Sequence, residues 1–212
     1  MGRNVIDLTH PVTHQMGVFP ADPPVGILNH HNYGNGYYVN QLIMGTHSGT
    51  HVDAPIHKIP GTLSITDIPV DRYIGWRTAV IDFTGHSGDI TVGELKKYDD
   101  LLTGCDAILF KTGWGSRFGK EGFFENYPGL ELEVADYLAN KGILLIGLET
   151  PSVHPVLHQE VHTALLKNDI YIIESLNNVE KINAQVVELH AVPLKLQGLD
   201  GSPVRAYAIE ND

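Results

Sequence analysis

Three histidines and an aspartate lie close together in one short segment of the sequence. The segment reads His47-Ser-Gly-Thr-His51-Val-Asp53-Ala-Pro55-Ile-His57. In an extended chain successive side chains alternate between two faces, so these four polar groups, all at odd positions, project from the same face. Val52 and Ile56 then point the other way, into the core. The spacing predicts four metal-competent side chains that converge.

A helix is the alternative conformation for this segment, and it would place His47 and His51 on one face at i and i+4. Gly49 and Thr50 are poor helix formers and Pro55 interrupts a helix, so the extended conformation is favoured. Imidazole and carboxylate ligands suit zinc, manganese or ferrous iron, whereas calcium and magnesium prefer oxygen ligands. The segment therefore predicts a divalent-metal site, with a solvated surface strand as the other interpretation.

Further ligands for such a site must come from distant parts of the chain. His158 and His162 are four residues apart in a predicted helix, so they share one face of it. Glu174 ends the apolar run that starts at Ile170, and a buried carboxylate needs a partner such as a metal ion. From the residues alone, each of these three is either a ligand or an ordinary side chain of its element.

The motif in residues 47–57 resembles the signature of the cyclase family of metal-dependent hydrolases, which includes bacterial kynurenine formamidases (arylformamidases) and isatin hydrolases. The resemblance extends over nearly the whole chain. Its other segments are Asp7-Leu-Thr-His-Pro-Val, Phe19-Pro-Ala-Asp22, Lys111-Thr-Gly-Trp, Gly147-Leu-Glu-Thr-Pro-Ser-Val153, Leu194-Lys-Leu-Gln-Gly and Gly201-Ser-Pro-Val-Arg-Ala206.

The resemblance implies a role for each candidate ligand. It places His47 and His51 on one metal ion and makes Asp53 the bridge between two ions. In the family a later histidine binds the second ion, and a glutamate twelve residues beyond it bridges the pair. His162 and Glu174 stand at that spacing here. The implied cofactor is one or two divalent ions per chain, zinc first and manganese as the alternative.

The sequence departs from the family pattern around the expected substrate pocket. Phe19 replaces the tryptophan that lines the aryl pocket in formamidases, and Glu149 replaces an aspartate. The stretch after Pro151, His154-Pro-Val-Leu-His158, is shorter than in formamidases. We expect the metal chemistry to survive these changes, but the substrate does not follow from the resemblance.

The predicted reaction is hydrolysis of an amide. A divalent metal lowers the pKa of bound water from 15.7 to about 7, so hydroxide is available to attack a polarised carbonyl. The resemblance makes His57 the acid–base residue, and an imidazole can give the departing nitrogen its proton. The first candidate is an arylformamidase acting on N-formylkynurenine in tryptophan catabolism. The alternatives are a hydrolase of a cyclic amide or imide such as isatin, or of another small carbonyl compound, and a non-catalytic metal-binding module.

Aromatic and basic side chains are candidates for contacts with the substrate. Phe19 is one candidate. A second group of aromatic residues lies further along the chain and could either form a stacking wall for the substrate or simply pack a loop: Trp114, Phe118, Phe123, Phe124 and Tyr127. Arg205 is a candidate for binding a substrate carboxylate, although bracing a sheet edge is the favoured interpretation. Cys105 has no base paired with it in a motif, so we predict that it packs rather than reacts.

Strands and helices interleave along the sequence without a linker or a repeat, so we predict a single domain over residues 1–212. The predicted strands are 5–8, 37–44, 78–83, 107–110, 143–146, 170–173, 186–192 and 204–209, the helices are 130–141 and 156–167, and residues 9–36 are mostly loop. Long β-rich stretches at both ends favour a mixed sheet over a purely parallel one. The predicted fold class is α/β with a mixed sheet, and the resemblance implies the swivelling β/β/α, cyclase-like fold.

The composition limits the partners of the protein. The formal net charge is −11 over 212 residues, which argues against nucleic acid or an anionic membrane surface as a partner, because both require a basic face. The apolar runs are too short to span a bilayer and no signal peptide is recognised, so the expected location is the cytoplasm. We expect a small-molecule substrate, and the resemblance implies a homodimer or a larger homo-oligomer.

Overall fold

A computed structural model gives the structure of the protein and describes residues 3–211. The strands are β1 (Arg3–Asp7), β2 (Gly26–His31), β3 (Val39–Ile43), β4 (His51–Asp53), β5 (Trp76–Asp82), β6 (Ala107–Lys111), β7 (Leu145–Leu148), β8 (Tyr171–Glu174), β9 (Val186–His190), β10 (Gly201–Pro203) and β11 (Tyr207–Asn211). The helices are α1 (Val92–Leu95), α2 (Asp99–Leu102), α3 (Val134–Asn140) and α4 (His158–Lys167).

Nine of these strands form one mixed sheet, which confirms the predicted fold class. Their order is β1-β11-β9-β5-β6-β7-β8-β4-β10. The four central strands β5 to β8 are parallel, and every other pairing in this sheet is antiparallel. β2 and β3 form a separate antiparallel hairpin. The central strands consist mainly of buried aliphatic residues, as expected where both faces of a parallel sheet are covered.

Hydrophobic clusters cover both faces of the sheet. Helices α3 and α4 pack on one face through buried residues that include Leu138 and Leu165. The other face forms a second cluster, in which Val52 of β4 packs with residues of β1, β8, β9 and β11. The short strand β4 is thus anchored by its buried Val52 side chain, while its two polar residues remain available for the site.

Several element boundaries differ from those predicted. Helix α3 begins four residues late because residues 130 and 131 pair by backbone hydrogen bonds with Val153 and Ile90. The stretch 204–209 is interrupted before β11, whereas residues 9–36 are mostly loop as predicted, with β2 as the strand within them. In the apolar stretch 143–146 the strand β7 begins two residues later than predicted. Within residues 3–211, the helices are all too short or too polar to cross a bilayer.

Candidate metal centre

The histidine–aspartate motif does not form one continuous strand, so that part of the sequence prediction is wrong. Only His51–Asp53 is a strand, residues 46–50 form a turn, and Pro55–His57 is a 3-10 turn with proline at its start. The turn requires Gly49, whose φ is +64° and whose added Cβ would lie 2.9 Å from Met16 Cε. The four polar side chains nevertheless converge, because the turns before and after β4 both fold back towards it.

Antiparallel pairing of β4 with β8 brings Glu174 to the motif. His51 lies directly opposite Glu174 in the register, and its Nε2 is 3.4 Å from Glu174 Oε2 and 3.4 Å from Asp53 Oδ1. Thr50 Oγ1 donates a hydrogen bond of 2.6 Å to the carbonyl of Ser175, which fixes the start of β4 against the end of β8. The pairing of cross-strand neighbours therefore positions two acidic groups and one imidazole together.

Helix α4 supplies the fifth candidate ligand, His162. After the helix, Asp169 takes a left-handed φ of +57°, which aspartate tolerates in turns, and the chain turns back into β8. His162 Nε2 then lies 3.0 Å from Glu174 Oε1 and 3.3 Å from Asp53 Oδ2. The structure thus brings His162 and Glu174 to the same place as the motif.

Hydrogen bonds to backbone carbonyls fix the tautomers of two of these histidines. Nδ1 of His51 donates to the carbonyl of Gly49 at 2.8 Å, and Nδ1 of His162 donates to the carbonyl of His158 at 2.6 Å. In both rings Nε2 is therefore left to face the carboxylates of Asp53 and Glu174. Metal-binding histidines are oriented in this way, with the remote ring nitrogen held by a carbonyl.

Buried polar atoms that have no hydrogen-bond partner among residues 3–211 meet at this point. They are His51 Nε2, Asp53 Oδ2 and Glu174 Oε1, and all three residues are nearly inaccessible to solvent. Leaving buried polar atoms unpaired is costly unless a ligand or an ion satisfies them. With His162 Nε2, which lies 3.0 Å from Glu174 Oε1, they make two histidine nitrogens and two carboxylates, a donor set that zinc-like ions accept, so these residues fit a divalent cation.

Electrostatics shows the same demand for positive charge. Burial alone would lower the pKa of His51 and His162, but the carboxylates of Asp53 and Glu174 raise it to about 10 and about 9 respectively. The pKa of His47 is lowered by burial and raised, more strongly, by Asp53 and Asp200, to about 9. The carboxylates therefore favour positive charge beside them. In the metal-free chain, the protonated histidines provide that charge.

Asp53 belongs to both of the ligand groupings that the structure presents. One consists of His47, Asp53 and His57, and the other of His51, Asp53 and Glu174; within each, the ligand atoms lie within 4.8 Å of one another. His47 Nδ1 donates to Asp53 Oδ1 at 2.9 Å. A carboxylate common to two groupings is the geometry that a bridging role requires.

Asp200 is a site residue that the sequence reasoning missed. Its Oδ2 accepts hydrogen bonds from His47 Nε2 at 2.9 Å and from His57 Nδ1 at 3.2 Å, and its Oδ1 accepts one from Thr46 at 3.0 Å. Those bonds hold the pKa of the Asp200 carboxyl far below its usual value. The next residue, Gly201, lets the ring of His47 pack on the strand backbone, because an added Cβ would lie 2.7 Å from His47 Cε1.

A cavity of about 300 Å³ opens beside the cluster. His47, His51, His57, His162 and Glu174 contribute to its wall, and Phe19 and His158 also line it. The ring of Phe19 packs edge-on against His158 and against Phe124, with ring centroids 6.0 Å apart in each case. The predicted substrate-binding residue Phe19 is thus placed where a ligand of the cluster would contact it.

Other candidates lie outside this cavity. Among the aromatic residues in 114–127, Trp114, Phe123 and Tyr127 form a buried cluster of their own, which favours packing over a stacking wall.

The other candidates have structural roles. Arg205 forms a two-point ion pair with Asp7 at 2.9 and 2.6 Å, which braces the sheet edge. The remaining two are buried: Glu149 accepts hydrogen bonds from the turn after β6, and Cys105 packs in the core.

Comparison with known proteins agrees with this arrangement. The Cyclase family model matches residues 6–155, which is more than half of the chain. The chain belongs to the cyclase family. A kynurenine formamidase from Bacillus anthracis is 34% identical over 206 residues, with 95% of each chain covered. The predicted family is therefore confirmed.

Solved structures of cyclase-family proteins have the same fold. An isatin hydrolase with a bound product analogue, thioisatinate, superimposes with a TM-score of 0.90 at 25% identity, covering 99% of this chain and 93% of the other. A "predicted metal-dependent hydrolase" from Bacillus stearothermophilus gives a TM-score of 0.84 at 25% identity with full coverage of both chains. These relatives confirm the prediction of a metal-dependent hydrolase of non-peptide carbon–nitrogen bonds.

Proposed function

We propose that this cyclase-family protein hydrolyses the formamide bond of an N-formyl aryl amine, with N-formylkynurenine as the first candidate substrate. The observation that carries the proposal is the meeting of three unpartnered buried atoms, on His51, Asp53 and Glu174, beside a cavity lined by His57 and Phe19. The kynurenine formamidase relatives support the choice of substrate.

The proposed cofactor is divalent metal, zinc first and manganese as the alternative. His47, His51 and Asp53 would hold one ion, and Asp53, His162 and Glu174 would hold a second. When bound, such an ion polarises a carbonyl and lowers the pKa of water from 15.7 to about 7. Asp53 and Glu174 are the proposed bridges: Asp53 belongs to both ligand groupings of the structure, and Glu174 lies 3.4 Å from His51 Nε2 and 3.0 Å from His162 Nε2.

His57 is the proposed proton carrier. Its Nδ1 donates to Asp200 Oδ2, which leaves Nε2 as the atom that can exchange a proton with the substrate. Water adds to the formamide carbonyl carbon and gives one proton to the free His57 Nε2; as the carbon–nitrogen bond then breaks, the departing aryl nitrogen takes that proton and formate forms. Asp200 keeps the imidazole in that tautomer, as an orienting carboxylate does in other acid–base pairs.

The second candidate is hydrolysis of a cyclic amide such as isatin, which the isatin hydrolase neighbours favour. The ring opening breaks the same type of bond, but the nitrogen stays attached to the product. His57 and the candidate ligands would have the same roles in both reactions, so the shape and charge of the cavity decide between them.

The test is hydrolysis by the purified protein loaded in turn with zinc or manganese. N-formylkynurenine, a neutral formanilide and isatin are compared by kcat/KM, and the metal-free protein serves as the control. We expect metal-dependent release of formate with N-formylkynurenine as the preferred substrate. A preference for isatin would select the second candidate, and no turnover of any of the three by the metal-loaded protein would overturn the proposed function.

A further inference from the structure

Lys58 contributes a positive charge to the wall of the site cavity. Of the described residues that line the cavity, it is the only lysine or arginine. It directly follows His57 at the end of the 3-10 turn Pro55–His57, where its backbone N–H donates to the carbonyl of Pro55 at 3.2 Å. The side chain is partly buried. The same turn therefore positions the proposed proton carrier and a cation side by side.

The Lys58 ammonium has no acidic partner in the part of the chain that the structure describes. Lys111 and Lys141, by contrast, lie 3.9 Å from Asp82 and 2.8 Å from Asp99. A cation that is partly withdrawn from water and unpaired retains its capacity for a charge-assisted hydrogen bond. Lys58 is thus available to an anionic ligand in the cavity.

Acidic residues in the same cavity wall make the charge of Lys58 important for binding an anion. Asp22 and Glu174 line the same cavity, and their charges would repel an anion. Burial lowers the pKa of His158, and the Lys58 ammonium lowers it further, which disfavours a second positive charge beside Lys58. The charge of His47, His51 and His162 is matched by the carboxylates of the cluster, so Lys58 is the cation of the cavity wall that is left for an anionic ligand.

Arg205, the other cation considered for binding a substrate carboxylate, is not available for that contact. Both of its bonding nitrogens are engaged by Asp7, and it does not line the cavity. Lys58 is therefore the basic side chain that a substrate carboxylate in this cavity can reach. Phe19, on the same cavity, offers an apolar ring for the aryl part of the same molecule.

We propose that Lys58 binds a carboxylate of the substrate, so that the enzyme selects aryl amides that bear a carboxylate over those that lack one. The inference rests on the proposed function, because it places the reacting amide beside His57. Three contacts then orient the substrate: Phe19 for the ring, the metal cluster for the amide carbonyl, and Lys58 for the carboxylate.

The test compares N-formylkynurenine with its α-carboxamide, which has the same formamide but no negative charge. Wild type is measured with Lys58→Met, which keeps most of the side-chain length without the charge, and with Lys58→Arg, which keeps the charge. For Lys58→Met the ratio of kcat/KM for the acid to that for the carboxamide should fall about 10- to 100-fold, as for loss of a hydrogen bond to a charged group. Lys58→Arg should retain most of the wild-type ratio.

Lys181→Met is the matched control, because Lys181 is an exposed lysine outside the cavity and its loss changes the net charge equally. It should leave the ratio at the wild-type value. An unchanged ratio in Lys58→Met, or an equal fall in Lys181→Met, would overturn the proposal. Melting temperature and metal content are measured for each variant, so that misfolding is recognised.

A binding measurement separates this proposal from the proposed function. Kynurenine, the carboxylate-bearing product, is titrated calorimetrically into metal-loaded wild type and Lys58→Met. We expect about tenfold or greater weakening in the variant. If wild type hydrolyses no formamide but this weakening is seen, only the proposed function fails. Equal affinities, or no binding of kynurenine to wild type, would overturn the role of Lys58.

Discussion

Asp53 is the residue that both groupings of the candidate centre share. Its carboxylate is fully buried and faces His47 at 2.9 Å, His51 at 3.4 Å and His162 at 3.3 Å. Three imidazoles around one carboxylate leave it no route to solvent. Its negative charge therefore has to be balanced inside the protein, by protons on the histidines or by a metal ion.

We predict that Asp53→Ala abolishes metal binding. Removing a ligand common to two ions should weaken binding by more than the 10- to 100-fold typical of residues that only support ligands. The measurement is metal content per chain after gel filtration, and Asp22→Ala, on the cavity rim, is the matched control. Wild-type metal content in Asp53→Ala would contradict the bridging role.

His57→Ala should separate catalysis from metal binding. If His57 transfers a proton and is not a ligand, metal content should stay near that of wild type while kcat falls by about 10²- to 10⁴-fold. The proximity of His57 to His47, with ring centroids 4.0 Å apart, makes this comparison necessary. Loss of metal along with activity would instead show that His57 is a ligand.

Protons and metal ions should compete for the cluster. The pKa values of His51, His47 and His162 are raised to about 10, 9 and 9, so these groups stabilise the metal-free fold below their unfolded value near 6.5. That contribution is lost as the pH rises through 9 to 10, because Asp53 and Glu174 then lose their compensating charge.

We therefore expect the melting temperature of the metal-free protein to fall more steeply between pH 7 and 10 than that of the metal-loaded protein. We also expect metal affinity to rise with pH and binding to release protons. Calorimetry in two buffers with different ionisation enthalpies measures this release. Proton uptake, or identical pH profiles of the two forms, would contradict it.

At the scale of elements, the site depends on which strands become neighbours. His47, His51 and Asp53 could be predicted as ligands from the motif, because their residue types and spacing are local properties of the sequence. His162 and Glu174 could be selected only through the family resemblance, since the residues alone allowed ordinary roles. The turn at Asp169 and the pairing of β8 with β4 then explain physically why they meet the motif.

Asp200 could not be predicted in the same way. It lies 153 positions from His47, in no recognised spacing, and reaches the site because β10 pairs with β4 at the sheet edge. Likewise the single extended strand expected for residues 47–57 failed because Gly49 takes a left-handed φ of +64° in the turn before β4. Local patterns identify chemistry, whereas register and long-range contacts decide which distant groups join it.

The close approach of β10 to His47 gives a prediction at this scale. In Gly201→Ala the new Cβ would lie 2.7 Å from His47 Cε1 and 3.1 Å from the carbonyl of Val52. Either the imidazole ring of His47 or the backbone of β10 must therefore move. We expect a loss of about 1–3 kcal/mol in stability together with weaker metal binding. Gly93→Ala, where the nearest atom is 3.8 Å away, is the control. Wild-type metal affinity in Gly201→Ala would contradict the packing argument.

At the scale of the whole molecule, the β2–β3 hairpin stands apart from the main sheet. In the described part of the chain its two strands pair only with each other. Large apolar residues on the hairpin are exposed, among them Leu28, Tyr33, Tyr38, Leu42 and Ile43. An isolated two-stranded hairpin is only marginally stable in water, and a contiguous exposed apolar patch marks an interaction surface. The hairpin therefore favours the homodimer that the family resemblance implies.

We predict that the protein is a homodimer that buries this hairpin. Light scattering after gel filtration should give twice the mass of one chain for wild type, and Leu42→Asp should shift the equilibrium towards the monomer because it places a charge in an apolar contact. Leu194→Asp, at a similarly exposed leucine outside the hairpin, is the control.

The hairpin is also linked to the site cavity. His14 accepts a hydrogen bond from the backbone N–H of Ile27 at 3.0 Å, which ties the base of the hairpin to the segment that leads to Phe19. Dissociation should therefore also raise KM, and a monomeric wild type would contradict the prediction.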